Sequence, residues 1–214
     1  MNKDDKKIND YFNYWLTLTL LLVFSTIIIG GLTRLTDSGL SITEWELFKG
    51  IIPPTNEQSW NNYFELYKQI PQFILLNQNM SLDEFKIIFY WEYIHRMIAR
   101  LIGLFFLIPL IYFHISGKIK KNDLRICNLI FLLIIIQGVV GWYMVKSGLV
   151  NDVTVSHYRL SLHLVIALTI ISIIFWLILN RFKNTIKKFF SFSKENIPYL
   201  FLIFLIFCQI ILGA

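Results

Sequence analysis

Apolar positions along this chain gather into long unbroken runs rather than alternating stripes. Runs long enough to cross a bilayer occupy about 15–34, 87–115, 126–145 and 158–179, and a fifth begins near Tyr199 and continues to Ala214. The pattern predicts an all-α polytopic membrane protein: a four-helix transmembrane bundle plus the start of a fifth span. Residues 1–13 read as a polar tail and 14–180 as the bundle, with 181–197 as a linker and 198–214 as the opening of a further half. Between the first two runs lies a segment of roughly 36–86 that is long for a connector yet patterned as if ordered. Thr55-x-x-Gln58 and Ser81-x-x-Glu84 read as capping boxes that start helices. After the first box, Trp60, Tyr63, Phe64 and Tyr67 share one helical face, and Pro71 is expected to end the segment. Such a face suits a helix lying at headgroup level over the outer mouth of the bundle, or packing on the ends of the spans. A short loop, KSGLVNDVTV over 146–155, is expected between the third and fourth runs.

The second run breaks the apolar rule. It reads IIFYWEYIHRMIARLIGLFFLIPLIYFHI and carries Glu92, His95, Arg96 and Arg100 in its outer half. Each ionisable group near a bilayer centre costs roughly 2.5–3.5 kcal/mol on insertion scales, against about 0.3–0.6 kcal/mol recovered per apolar residue. The polar residues must therefore meet partners inside the bundle. Glu92, His95, Arg96 and Ala99 recur at i, i+3, i+4 and i+7, one stripe of the helix. The fourth run opens SHYRLSLHLVIAL and adds His157, Arg159 and His163. The third ends IIIQGVVGWYMV, where Gln137, Gly138 and Gly141 make a small, hydrogen-bonding face; Gly30 and Gly31 similarly allow close approach at the end of the first.

Composition adds class and orientation. Hydrophobic residues make up 56% of the 214 positions and charged residues 16%. Twelve Lys and Arg flank the runs on one side (Lys3, Lys6 and Lys7; Lys118, Lys120, Lys121 and Arg125; Arg181, Lys183, Lys187, Lys188 and Lys194). Outside the spans, only Lys49, Lys68, Lys86 and Lys146 lie on the other side, which places the N-terminus in the cytoplasm. The net charge of +6 reflects this orientation and gives no reason to expect a nucleic-acid partner. The two cysteines, Cys127 and Cys208, fall at different depths and read as small buried hydrophobes.

Spans two and four run the same way, and His95 and His163 each lie about eight residues in, roughly 12 Å deep at 1.5 Å per residue. Two imidazoles at one depth on co-directional helices suit bis-histidine ligation of a haem between helices. The haem propionates would then need cations, for which Arg34, Arg96 and Arg159 lie in the outer zone. Glu92 is either an i,i+4 partner for Arg96 or an acid–base group at the haem edge. His157 reads as exposed and His114 as an interface residue.

The stretches GGLTRLTDSGLSITEW, WEYIHRMIARLIG, QGVVGWYMVKSGL and VSHYRLSLHL, in this order over most of 28–170, closely resemble successive blocks of haem A synthase of the mitochondrial and α-proteobacterial type. That resemblance implies oxidation of a ring methyl of haem O to the formyl of haem A, for cytochrome c oxidase biogenesis, in a bacterial inner membrane. It implies His95 and His163 as iron ligands of the substrate haem and Glu92 as the catalytic carboxylate. It also implies haem b in a second four-helix half, which this chain does not include; CQIILGA faintly echoes STIIIGG, as the start of a repeat would. The chain is then a fragment, one product of a split gene, or a degenerate form. Expected partners are membrane lipid, haem O, a haem O synthase handing it over, and further copies of the chain. Where relatives often carry Gln this chain has His157, so no ligand role passes to it. A second type in the family carries a cysteine pair in the outer loop, which this chain lacks, so the resemblance implies no redox role for that loop. Two other readings remain open at this point, a cytochrome b-type electron carrier and a cofactor-free transporter or scaffold.

Overall fold

In the computed structural model, residues 3–44, 49–151, 153–183 and 193–213 are described. Among the described residues, seven α-helices run in chain order: α1 Lys3–Leu35, α2 Glu57–Tyr67, α3 Pro71–Leu76, α4 Leu82–Ser116, α5 Lys121–Asn151, α6 His157–Lys183 and α7 Ile197–Gly213. Five of them, α1, α4, α5, α6 and α7, are long and apolar enough to cross a membrane. The chain is a polytopic all-α membrane protein.

Four of these helices close a ring in which α1 packs on α4, α4 on α5, α5 on α6 and α6 back on α1. Neighbours in the ring are antiparallel, so α4 and α6 stand on a diagonal and run the same way. Helix α7 packs against α6, and most of its apolar side chains are exposed.

The inner half of the ring is a dense apolar core. Phe12, Trp15 and Leu16 of α1 meet Phe106 and Phe113 of α4, Cys127 and Ile130 of α5, and Ile174 and Leu177 of α6. Phe12 lies edge-on to Phe113 at 4.9 Å and Trp15 against Phe106 at 4.6 Å, within the range of favourable aromatic pairs. The Trp15 indole donates to the Phe105 carbonyl at 3.1 Å, so its one polar atom is satisfied. Because Phe12 is buried here, α1 is already helical across most of the stretch whose polar composition suggested a tail. In the expected linker, Arg181–Lys183 still belong to α6, residues 184–192 lie outside the described residues, and a 3₁₀ turn over Lys194–Asn196 leads into α7. Both cysteines are free thiols, Cys127 fully buried in this core.

A second apolar cluster caps the other end. Leu40, Ile42, Trp60, Phe64, Tyr67 and Ile70 pack on Phe85, Ile88 and Phe89 of α4. Trp60 meets Phe89 at 5.0 Å, and Phe64 and Tyr67 each meet Phe85 at 5.1 Å. The aromatic face of α2 is thus spent on the first turns of α4, the second of the two placements its pattern allows. Three local expectations change. The cap of α2 is Asn56, whose side chain accepts from Ser59 N at 2.8 Å, rather than Thr55. Pro71 opens α3 at a position where its missing N–H is no loss, instead of ending a segment. Helix α5 continues through Lys146–Asn151, which shortens the expected loop, because Val145 and Leu149 join the outer cluster. The capping box of Ser81 and Glu84 forms as expected.

The α2–α3 unit is tied to the end of α1 by buried polar contacts. Tyr67 donates to Gln72 Oε1 at 3.0 Å and accepts from Asn77 at 2.7 Å, and Gln72 Nε2 donates to the Asp37 carbonyl at 2.9 Å. Burial pushes the Tyr67 phenol above its ordinary range, so it stays a donor. Asp37 itself adopts φ 51, a left-handed turn conformation that aspartate tolerates.

Asn62 is exposed on α2 and Lys120 is exposed at the opposite end of the bundle. An impermeant thiol reagent applied outside intact cells is expected to label Asn62→Cys and to leave Lys120→Cys untouched. The reverse pattern would invert the topology.

Candidate functional site: a histidine layer between two cores

The two apolar clusters do not touch across the ring. Among the described residues, no apolar side chain is buried between Val23 and Leu40, between Phe89 and Ile102, or between Ile130 and Ala167. At this level the helices bring glycine, histidine and polar side chains inward beside partly buried apolar ones such as Ile98, Ile134 and Ile166. His95 enters this level from α4 and His163 from α6. Helix α4 begins at Leu82, before its apolar run, so the match in depth comes from the bundle and not from equal distances to the helix starts.

Each ring rests on a glycine of the neighbouring antiparallel helix. A Cβ at Gly30 of α1 would stand 2.9 Å from His95 Cε1, and one at Gly141 of α5 would stand 2.9 Å from His163 Cε1. Nδ1 of both rings is buried without a hydrogen-bond partner, as is Oε1 of Gln137, one turn from Gly141. The Thr26 carbonyl approaches the His95 ring. A buried polar atom left unmade costs about 1–3 kcal/mol, so several at one level mark a place built for something besides packing. Among the described residues, no three His, Cys, Asp or Glu gather to hold a bare metal ion. A pair of imidazoles fits a ligand that brings its own in-plane donors to the iron, as a porphyrin does.

The polar stripe of α4 divides in the folded chain. His95 turns to α1, whereas Glu92 and Arg96 turn to the segment that follows α1. Glu92 is 2% exposed; its Oε2 accepts from Ser41 Oγ at 2.7 Å and from Ile42 N at 2.8 Å, and its Oε1 pairs with Arg96. Arg96 also donates to the Ile42 carbonyl at 3.1 Å. Glu92 and Arg96 therefore clamp residues 41–42 onto α4, directly outward of His95. Arg96 and Arg100 border a cavity of about 20 Å³ beneath Ile42 and Gly50, room for one water.

The other two cationic candidates have protein partners as well. Arg34 pairs with Asp37 at 3.7 Å, with 40% of its side chain exposed. Arg159 donates to Ser147 Oγ and lies over the Tyr143 ring at 5.1 Å, tying α6 to α5 one turn outward of His163. His157 is exposed against Tyr158, and His114 is exposed and bonded to Asn128 at 2.9 Å, so neither joins the layer. Sequence reasoning missed Ser41 and Ile42, because a loop donor that reaches a helix only through the fold leaves no periodic trace.

Residues 13–214 match the family profile described as cytochrome oxidase assembly protein. The chain belongs to that family. Curated relatives named heme A synthase extend the match: that of Pelagibacter ubique is 52% identical over 207 residues, covering 95% of this chain and 60% of the relative. The Rickettsia bellii protein is 43% identical over 205 residues (94% and 60%), and that of Parvibaculum lavamentivorans 44% over 204 residues (94% and 58%). The chain thus spans about 60% of the length of these relatives. No solved structure matches it.

Proposed function

We propose that this chain is the substrate-binding half of a haem A synthase in a bacterial inner membrane. In this reading His95 and His163 hold the iron of haem O from opposite sides while a ring methyl is oxidised to a formyl. The observation that carries it is that two co-directional helices on a diagonal of the ring each bring a histidine against a glycine of the next helix, with Nδ1 of both rings buried and unpartnered. Bis-histidine ligation would fix the porphyrin plane against the bundle and so choose which methyl meets the reacting groups. Arg159 and Arg34, on the outer side of the layer, are the cations proposed for the propionates, exchanging their present contacts with Ser147 and Asp37 for a carboxylate. The clamp of Glu92 and Arg96 closes the outer side and limits access of water to the layer. Glu92 is also the carboxylate proposed to take part in proton transfer at the methyl. With water as the oxygen source, converting a methyl to a formyl (CH3 + H2O → CHO + 4 H+ + 4 e−) releases four electrons, which a second redox site would relay one at a time to an external oxidant. Haem b, in sequence beyond this chain, is proposed for that task, and a haem O synthase is proposed to deliver the substrate.

The test is product analysis. The chain is fused to the remaining C-terminal part of the Pelagibacter ubique relative and expressed in cells that make haem O but no haem A. Extracted haem is expected to contain haem A with the native sequence, and haem O without haem A for the Glu92→Gln fusion. Bound haem that stays chemically unchanged with the native sequence would favour an electron carrier.

A further inference from the structure

Gly30 and Gly141 occupy equivalent places in the ring, and neither place was evident before folding. Helices α1 and α4 form one antiparallel pair, and α5 and α6 form another. In each pair the first helix contributes a glycine, and the helix running back contributes the histidine whose Cε1 comes to 2.9 Å of where a Cβ would be. The likeness extends to the second-nearest atoms: Nδ1 lies at 3.4 Å from the Cβ position in the first pair and 3.5 Å in the second. Both rings thus meet their glycine along the edge that carries the two nitrogens, with Cε1 foremost, and both leave Nδ1 buried and unpartnered.

We propose that Gly30 and Gly141 are positioning residues, a matched pair of sockets that set where the two imidazoles can stand and so the geometry with which they meet one iron. This rests on the haem reading of the histidine pair. The physical argument turns on what yields when a methyl is added. Real Cβ atoms essentially never lie under 3.0 Å from a neighbour, so an alanine at either position forces a shift. The atom in the way is the end of a histidine side chain, free to turn about two torsions, and not a backbone atom. The ring moves, the helices stay, and alanine is the better helix former. A change that in most places would only stabilise a helix becomes here a change in the position of a ligand. The neighbouring glycines supply the control, because a Cβ at Gly31 or Gly138 meets nothing within 4 Å.

The experiment titrates iron protoporphyrin IX into the purified 214-residue chain in nanodiscs, with absorption and electron paramagnetic resonance spectra as readouts. Gly30→Ala and Gly141→Ala are expected to keep native expression and helix content. They should bind haem on the order of 10–100-fold more weakly, the range for groups that orient a metal ligand, and show a mixed-spin or displaced low-spin signal. Gly31→Ala and Gly138→Ala are expected to match the native chain in both readouts. If Gly141→Ala fails to accumulate, the Gly141→Ala/His163→Ala double variant is expected to accumulate again, since removing the ring removes the collision; its failure would overturn the socket. Native affinity and spectrum in both alanine variants, with haem lost from His95→Ala and His163→Ala, would overturn the positioning role and leave the haem reading standing. A native spectrum in the histidine variants as well would overturn both.

Discussion

Arg181→Ala is expected to destabilise the bundle by about 3–5 kcal/mol, the cost of removing one partner of a buried ion pair. Arg181 sits at the inner end of α6 with 11% of its side chain exposed and pairs with Asp123 of α5, itself 10% exposed. Its Nε donates to Asn13 Oδ1 at 2.6 Å and a terminal nitrogen donates to Asn9 Oδ1 at 2.8 Å, both on α1. Its guanidinium lies over the Phe12 ring at 4.5 Å. One side chain thus joins three helices where the apolar core ends, and its removal strands Asp123 and two asparagine oxygens together. The measurement is thermal or denaturant unfolding in detergent, with Arg181→Met/Asp123→Leu as companion. The double variant should regain most of the loss, because an apolar pair of similar volume replaces a buried ion pair at little cost. An unchanged midpoint for Arg181→Ala would show that the cluster is solvated and contributes little.

Glu92→Ala is expected to cost a similar ~3–5 kcal/mol, expressed mainly as release of the segment after α1. The variant leaves Arg96, 12% exposed, without its carboxylate, and removes the acceptor for Ser41 Oγ and Ile42 N. Limited proteolysis in the region of residues 38–44 should therefore quicken before the bundle unfolds. Glu92→Gln keeps an oxygen for the two loop donors but turns its amide N–H toward the Arg96 guanidinium, so it should lose part of the stability and yet hold residues 41–42 in place and keep its haem. This difference separates the clamp from the proton-transfer role proposed for the same residue. Native protease protection in Glu92→Ala would remove the clamp from the account.

The spans could be read from the sequence because a bilayer demands continuous apolar runs, and no packing detail alters that demand. Helix ends were less readable. α1 begins at Lys3 and α5 runs on to Asn151, since Phe12 and Leu149 are drawn into tertiary clusters that polar neighbours conceal. At the site, the Glu92–Arg96 pair follows from i,i+4 spacing, and the placing of His95 and His163 on helices that run the same way follows from the order of the spans. Which glycine faces which ring does not follow from either. Gly30 and Gly31 are adjacent and chemically identical, and only the rotation of α1 against α4 decides that one holds a ring and the other meets nothing. Arg181 illustrates the same limit: counted along the chain it is one basic charge on the inner side, and only the closed ring brings Asn9, Asn13 and Asp123 around it.

The central claim is that one haem iron is held by His95 and His163 together. It is tested most directly by the low-spin electron paramagnetic resonance signal of the chain loaded with one equivalent of iron protoporphyrin IX, compared with His95→Ala and His163→Ala. The native chain should give a bis-imidazole low-spin signal, and either substitution should abolish it, leaving high-spin iron or free haem. The same low-spin signal retained in both single variants would contradict the claim.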